Sequence, residues 1–335
     1  MWPLVWRAVT VSIIVVAYRQ RESLIACLEA CSVAAAELPG EAELIVVDNG
    51  DLAGLVRGRC PHARLLEPGA NVGFAGGVRR AVDVAAGRWV ALVNDDALIE
   101  PEALARMLAA GERSEQIGAV AAQIRFAGAR ERVNSAGIEV DALGIATERL
   151  AGRAIAEAET PAEVFGASAC CALYRASMLT QIGGFDERFF AYQEDVDVAW
   201  RARASGWRAV YEPTAIVYHR GSASTGEGSA GKYFLVGRNR VWLLARNATG
   251  TQLVRALPAI LLYDCAYIAY VALTDHTLAP LRGRLIGLRR WRALRRESRA
   301  WRRPVDLAPA REGWAMALRQ HRAYRAASSA QRPPA

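Results

Sequence analysis

The chain has 335 residues, 53% of them hydrophobic, and a formal net charge of +8. That composition excludes a disordered chain and leaves room for one large domain, or one domain plus an accessory part. Its six cysteines (Cys27, Cys31, Cys60, Cys170, Cys171 and Cys265) form no C-x-x-C pair, which excludes a zinc ribbon and fits a reducing, cytoplasmic setting.

The apolar run after Thr10 ends at Tyr18 and reads as a strand, so no signal peptide is expected. VSIIVVA at 11–17 is continuous and β-branched, which predicts a buried parallel strand. Residues 22–36 repeat at helical period, with Leu24, Leu28 and Cys31 on one face. ELIVVDNG at 43–50 predicts a second buried strand with Asp48 at its C-terminal end, and 64–66 a short third. The stretch 73–86, rich in glycine and alanine, predicts a helix, and RWVALVNDD at 88–96 a strand that ends in acids. Pro101 suits the first turn of a helix running to Gly111, and 117–124 predicts another strand. This β-α-β-α order predicts an open α/β sheet with its ligand at the C-terminal strand ends, and 1–124 as a nucleotide-binding half.

Residues 125–165 carry less pattern, and Gly137 and Gly144 predict turns in a connecting excursion. Residues 164–174 are small and apolar, 176–182 predicts a helix, and 196–204 another that stops at Gly206. Strand-like pieces at 209–211 and 215–218 flank Pro213. The run 253–273 is strongly apolar but contains Arg255, Pro258 and Asp264. An acid in mid-span is costly in a bilayer, so a core helix or one lying on a membrane is expected rather than a span. Residues 282–303 hold ten arginines against one glutamate, more than the whole net charge. With Leu285, Leu288, Trp291 and Leu294 at spacings of three, they predict an amphipathic basic helix for an anionic membrane surface. Nucleic-acid contact and a solvated face are the alternatives. The final QRPPA reads as a frayed end.

Four constellations carry chemistry. Asp48 before Asn49-Gly50 either meets a nucleobase or ribose, or caps a turn. NVGFAGG at 71–77 lacks both the dinucleotide fingerprint and the P-loop ending, yet permits close approach of a phosphate. Asn94-Asp95-Asp96 offers oxygen ligands for Mg²⁺ or Mn²⁺, with a nucleotide diphosphate supplying the rest. In FFAYQEDVD at 189–197, the acids sit at a helix N-terminus, where the dipole stabilises them, and Asp197 pairs with Arg201. That leaves Glu194 or Asp195 to face a cleft and take a proton from a hydroxyl. His219 either completes the metal site or only hydrogen-bonds.

Together, VSIIVVAYRQ, LIVVDNG, NVGFAGG, VALVNDD, GGFDERFFAYQEDVDVAWRARASGW and VYEPTAIVYHRGSAS resemble the family 2 glycosyltransferases, in their rhamnosyltransferase-like branch, over roughly 11–224. KYFLVGRNR at 232–240 resembles the basic motif that follows the catalytic domain. The resemblance implies a GT-A fold: an α/β, Rossmann-like, mostly parallel sheet flanked by helices, plus a C-terminal helical region. It divides the chain into a nucleotide-sugar-binding half (1–124), an acceptor-side and catalytic half (125–240) and a basic helical region (241–335). Asp195 corresponds to the catalytic base. Ala17, Tyr18, Arg19, Asp48, Asn71, Gly73, Asn94 and Asp95 contact the donor, Asp96 and His219 the metal, and Glu194, Trp200 and Arg201 shape the acceptor pocket. Three departures stand out: Ala17-Tyr18-Arg19 replaces Thr-Tyr-Asn, Asp51 replaces serine, and Asn94 replaces the first acid of D-x-D.

The implied reaction is an inverting transfer of a sugar, L-rhamnose from dTDP as the best candidate, to a hydroxyl of a lipid-linked or cell-envelope glycan. The implied cofactor is Mg²⁺ or Mn²⁺, and the implied place is the inner face of the cell membrane. Packing of a homo-oligomer by the apolar helix is the alternative to membrane contact. The rival functions are a metal-dependent sugar nucleotidyltransferase, which lacks a lysine-containing triphosphate motif here, and a nucleic-acid-binding protein using the arginine segment.

Overall fold

The computed structural model describes residues 9–220, 228–310, 319, 320 and 323. The QRPPA end and the 221–224 part of the resemblance lie outside them. The first half runs β1 (Val11–Ala17), α1 (Arg21–Ala36), β2 (Ala42–Asp48), α2 (Ala53–Arg59), β3 (Arg64–Leu66), α3 (Gly73–Val82), β4 (Trp89–Asn94), β5 (Ala97–Ile99), α4 (Ala103–Gly111) and β6 (Ile117–Phe126). Every residue of β1 is buried, because the strand is covered on both faces. Val11, Ile13 and Val15 face α1, α2 and α4, while Ile14 and Val16 face α3 and the helices of the second half. Continuous apolar runs therefore identified these strands correctly, where alternation would have failed.

The middle segment is more ordered than its sequence suggests. It forms β7 (Ala129–Ser135), the hairpin β8 (Ile138–Val140) and β9 (Ala146–Glu148), and β10 (Ala162–Val164). Then come β11 (Cys171–Arg175), α5 (Ala176–Ile182), α6 (Glu194–Ala204) and β12 (Arg208–His219). The two pieces around Pro213 are one strand, whose register against β6 shifts between Glu212 and Ile216. An irregular ladder at that point tolerates the missing proline N–H.

The main sheet has the order β10-β12-β6-β11-β4-β1-β2-β3. Its first half is parallel, as expected, and its second is mixed: β11 runs antiparallel to both β4 and β6. The sheet crosses the 124/125 division, and the 240/241 division falls within α7 (Ala230–Asn247). After α7 follow α8 (Gly250–Thr274), α9 (Ala279–Arg289) and α10 (Trp291–Glu297).

Two expectations for this region are corrected. The arginine segment is not one amphipathic helix, since it breaks at Arg290. Leu294 is buried, but Leu285 and Leu288 face outward. The face of α9 that packs on α7 is its small one: a Cβ on Gly283 would run into the Phe234 carbonyl. Several arginines are structural, with Arg295 and Arg302 donating to main-chain carbonyls near the end of α7. Nor is α8 a core helix, because only 11% of its most apolar stretch is buried.

Candidate active site

A cleft opens at the C-terminal edge of β1, β2 and β4, and α7, α8 and α9 supply its far wall through Arg240, Tyr263, Tyr267 and Arg284. On its floor, Asp95 Oδ2 accepts the Tyr18 N–H at 2.8 Å, joining the ends of β4 and β1. Burial pushes the Asp95 carboxyl up to about 7, with the Tyr18 N–H opposing it. The β5–β12 pairing sets Ala97 opposite His219. That register brings the preceding residue, Asp96, to the imidazole, with Oδ1 3.2 Å from Nε2. The other ring nitrogen lies 3.1 Å from Asn134 Oδ1. Burial alone would lower the His219 pKa, but Cys170 and Asp96 hold it well above the usual value.

Asp96 and His219 thus converge, a carboxylate suited to Mn²⁺ or Mg²⁺ beside an imidazole that can ligate only when neutral. Among the described residues, no group of three or more His, Cys, Asp or Glu side chains is arranged to hold a metal ion. Two protein donors fit a metal whose remaining ligands come from a diphosphate and water, the usual arrangement for Mg²⁺. Asn94, first of the run, lines the same cleft.

The glycine-rich loop is held by Asn49. Its Nδ2 donates to the Gly73 carbonyl at 2.9 Å, and its Oδ1 accepts from the Val72 N–H at 3.4 Å. Asn71 Oδ1 accepts the Gly73 N–H, and both Asn71 and Gly73 line the cleft. Gly73 has φ 75°, and the space of its missing Cβ is taken by the Phe190 carbonyl and ring. Only glycine meets both conditions without strain.

Asp48 takes the turn-capping alternative: its two oxygens accept from the Gly50 and Leu52 N–H groups, each at 2.8 Å. Asp48, Ala17 and Arg19 all fall outside the residues that line the cleft. Ala17 is fully buried in β1, and the exposed Arg19 lays its guanidinium over the Tyr18 ring. Tyr18 itself lines the cleft.

The segment before α6 is strained. Phe190, Tyr192 and Gln193 have φ of 66°, 71° and 65°, left-handed values that cost non-glycine residues roughly 1–3 kcal/mol each. Asn239 holds the turn in place: its Nδ2 donates to the carbonyls of Phe189, Ala191 and Tyr192 at 2.7–3.0 Å. Arg238 donates to Phe189 O at 2.7 Å. Arg238 and Asn239 of the RNR motif on α7 therefore clamp the loop that presents the acids.

The three acids then divide. Asp195 Oδ2 accepts the Ala169 N–H at 3.1 Å and lines the cleft. Burial pushes its carboxyl up, with the Ala169 and Val196 N–H groups opposing. Glu194 also lines the cleft, almost fully buried, and among the described residues its Oε2 has no hydrogen-bond partner. Burial and the neighbouring Asp195 push its carboxyl up as well. Asp197 turns away into an ion-pair network with Arg201, Arg246 and Asn247.

Trp200 and Arg201 do not reach the cleft lining, which corrects the pocket role expected for them. Trp200 is 1% exposed and packs edge-on against Phe165, while Arg201 donates to Asp197 and to the carbonyls of Ile182 and Gly184. Their spacing on α6 places them one turn beyond the acids, on its inner side. Conversely, Asn134 and Glu148 carry no signal in sequence spacing, while Asn49 and Asn239 lie in the LIVVDNG and KYFLVGRNR motifs but gain their loop-holding roles only from the fold.

Residues 8–234 match the family model described as glycosyltransferase like family 2. The N-acetylglucosaminyl-diphospho-decaprenol L-rhamnosyltransferase of Mycobacterium tuberculosis is 32% identical over 214 residues, which are 56% of this chain and 69% of that protein. Among solved structures, S. aureus TarS 1-349 superposes with a TM-score of 0.54 at 16% identity, over 96% of this chain and 90% of that one. GalNAc-T7 with UDP, GalNAc and Mn²⁺ gives 0.54 at 11% identity, over 72% of this chain. The chain spans 49% of the length of that GalNAc-T7 structure, and at such identities the likeness extends to the fold alone.

Proposed function

The chain belongs to the glycosyltransferase like family 2, and from that premise we propose that it moves L-rhamnose from a thymidine diphosphate donor to a hydroxyl of a lipid-linked glycan, with inversion. It is an enzyme of the glycosyltransferase class, which passes a sugar from a nucleotide-diphospho-sugar to an acceptor. The observation that carries the mechanism is Asp195, which faces the same cleft as Asp96 and His219. The name of the 32%-identical mycobacterial relative supports rhamnose and the lipid-linked acceptor.

In this reading Asp195 takes the proton of the acceptor hydroxyl, which attacks the anomeric carbon from the face opposite the diphosphate. Its raised pKa brings it closer to neutrality, which makes it a stronger base than an exposed aspartate. The Ala169 N–H holds its carboxylate in place. Asp96 and His219 would hold a divalent ion, which when bound neutralises charge on the leaving diphosphate. No general acid is needed at the leaving group, so the paired-carboxylate logic of glycosidases does not apply. The test is binding and hydrolysis across a panel of nucleotide sugars, with Mn²⁺, Mg²⁺ or chelator. One donor should be selected, and chelator should abolish its turnover. Binding of Mn²⁺ should be weak alone and tighten with dTDP, because the protein supplies only two converging ligands; equal affinity with and without nucleotide would sink that assignment.

Membrane attachment is part of the same proposal. Val254, Leu257, Leu261, Leu262 and Leu273 of α8 are exposed, as are Leu285 and Leu288 of α9, next to the arginines. The opposite side of α8 is tied to the protein, with Asp264 pairing to Arg240 and Arg284. One apolar face outward and one face anchored suits a helix lying in the lipid interface. The triple change Leu257→Glu, Leu261→Glu and Leu262→Glu should release the protein from sedimenting anionic vesicles by more than about tenfold. Unchanged sedimentation at low salt would reject membrane contact through α8.

A further inference from the structure

We propose that Glu148 is a specificity-determining residue that accepts hydrogen bonds from hydroxyls of the sugar being transferred. The inference rests on the glycosyltransferase reading and adds a residue to its site. Glu148 ends β9, in the segment with the least sequence pattern, and is half-buried in the cleft lining. Its Oε2 accepts from Ser135 Oγ at 2.5 Å and its Oε1 from Ser168 Oγ at 3.0 Å. Those two serines lead to opposite ends of the site. Ser135 follows Asn134, whose side chain meets His219. Ser168 precedes Ala169, whose N–H holds Asp195.

Glu148 therefore sits on the wall between the residues assigned to the diphosphate and the base assigned to the acceptor hydroxyl. In a direct displacement the transferred ring must lie between those two groups, with its anomeric carbon in line with both. Glu148 is thus placed beside that ring rather than beside the nucleotide.

Charge supports the same conclusion. Among the described residues Glu148 forms no direct ion pair; burial and the neighbouring Asp195 push its carboxyl up to about 7, with the two serines and the charge of His219 opposing. Two serine hydroxyls alone would be served equally by a neutral glutamine. An acid desolvated in a cleft and held by two neutral serines rather than by a direct ion pair is costly, and such groups cluster where they meet ligands. Each Glu148 oxygen accepts one serine and keeps a second lone pair for a hydroxyl donor.

Calorimetric titration of the full chain tests this with dTDP, UDP and GDP and with dTDP-L-rhamnose, UDP-glucose and UDP-N-acetylglucosamine. For whichever nucleotide sugar the wild type prefers, Glu148→Gln should weaken binding by about 10- to 100-fold, the size of one or two charge-assisted hydrogen bonds, and flatten the preference among sugars. Binding of the parent nucleoside diphosphate should not change. Equal weakening of the nucleotide and its sugar form, or no change in either, overturns the inference while leaving the proposed function standing. A wild type that binds no nucleotide sugar overturns both. Should Glu148→Gln fail to fold, S135A and S168A loosen the carboxylate without removing it, and must show the same split between sugar and nucleotide; a uniform loss overturns the assignment.

Discussion

Asp195→Asn is expected to lose transfer by about 10²- to 10⁴-fold while binding the nucleotide sugar as the wild type does. The substitution is isosteric, and its amide oxygen still accepts the Ala169 N–H that now meets Asp195 Oδ2. Removing the charge relieves repulsion with Glu194, which offsets the loss of the acceptor that Oδ1 gives the Val196 N–H. What disappears is the group able to take the proton of the acceptor hydroxyl. Single-turnover transfer at saturating donor, beside equilibrium binding, separates the two effects. A variant that keeps more than about a tenth of wild-type turnover would show that Asp195 is not the base. The neighbouring Glu194, whose Oε2 has no partner among the described residues, would then be the next residue to change.

Asp197→Ala is expected to be the most damaging change to stability, by about 3–5 kcal/mol, because it breaks a buried ion-pair network from one side. Asp197 is 0% exposed. Arg201 Nε reaches it at 2.9 Å, Arg246 Nε at 2.9 Å and Asn247 Nδ2 at 2.8 Å. Burial by itself would raise this carboxyl, but Arg201 and Arg246 together outweigh burial and hold it well below the usual carboxylate range. The folded pKa is therefore depressed. The stability it confers is present above an ordinary aspartate pKa of about 4 and is lost as pH falls from there through the folded value. Urea unfolding of the variant and the wild type at pH 7 and near pH 3 measures both parts. The difference between them should shrink at the lower pH, and a difference under about 1 kcal/mol at pH 7 would reject the network's role. Since Arg246 and Asn247 belong to α7, the same carboxylate ties the catalytic helix to the C-terminal helices.

Local pattern was enough to read most of the first half. The strands at 11–17 and 64–66 and the helix at 176–182 coincide with the structure, because long apolar runs and clear helical periods report burial directly. Acids at strand ends, the NVGFAGG loop and the QED turn also pointed to the right edge of the sheet. The region 125–165 stayed unread because its strands carry no continuous apolar run and depend on partners distant in the chain, such as β12 for β10. Glu148 was hidden there for the same reason. In the basic C-terminal region, spacing of large apolar residues suggested one amphipathic helix, but the chain breaks at Arg290, and α9 packs on α7 through its glycine face.

Composition and motif spacing alone determined the α/β class, the cleft edge, Glu194 and Asp195 as the two candidate bases and the presence of a basic, apolar tail; the family resemblance singled out Asp195. These depend on which residues are neighbours along the chain. Three matters were decided only by tertiary structure. Asp197, paired with Arg201 by helix spacing alone, becomes the centre of a buried network because Arg246 and Asn247 arrive from α7. The turn at 190–193 holds three left-handed residues only because the Asn239 amide binds its carbonyls. The apolar side of α8 faces outward because Asp264 on its other side is held by Arg240 and Arg284. Each of these is a contact between residues some 20 to 50 positions apart, whose energy depends on burial and geometry that no local spacing encodes.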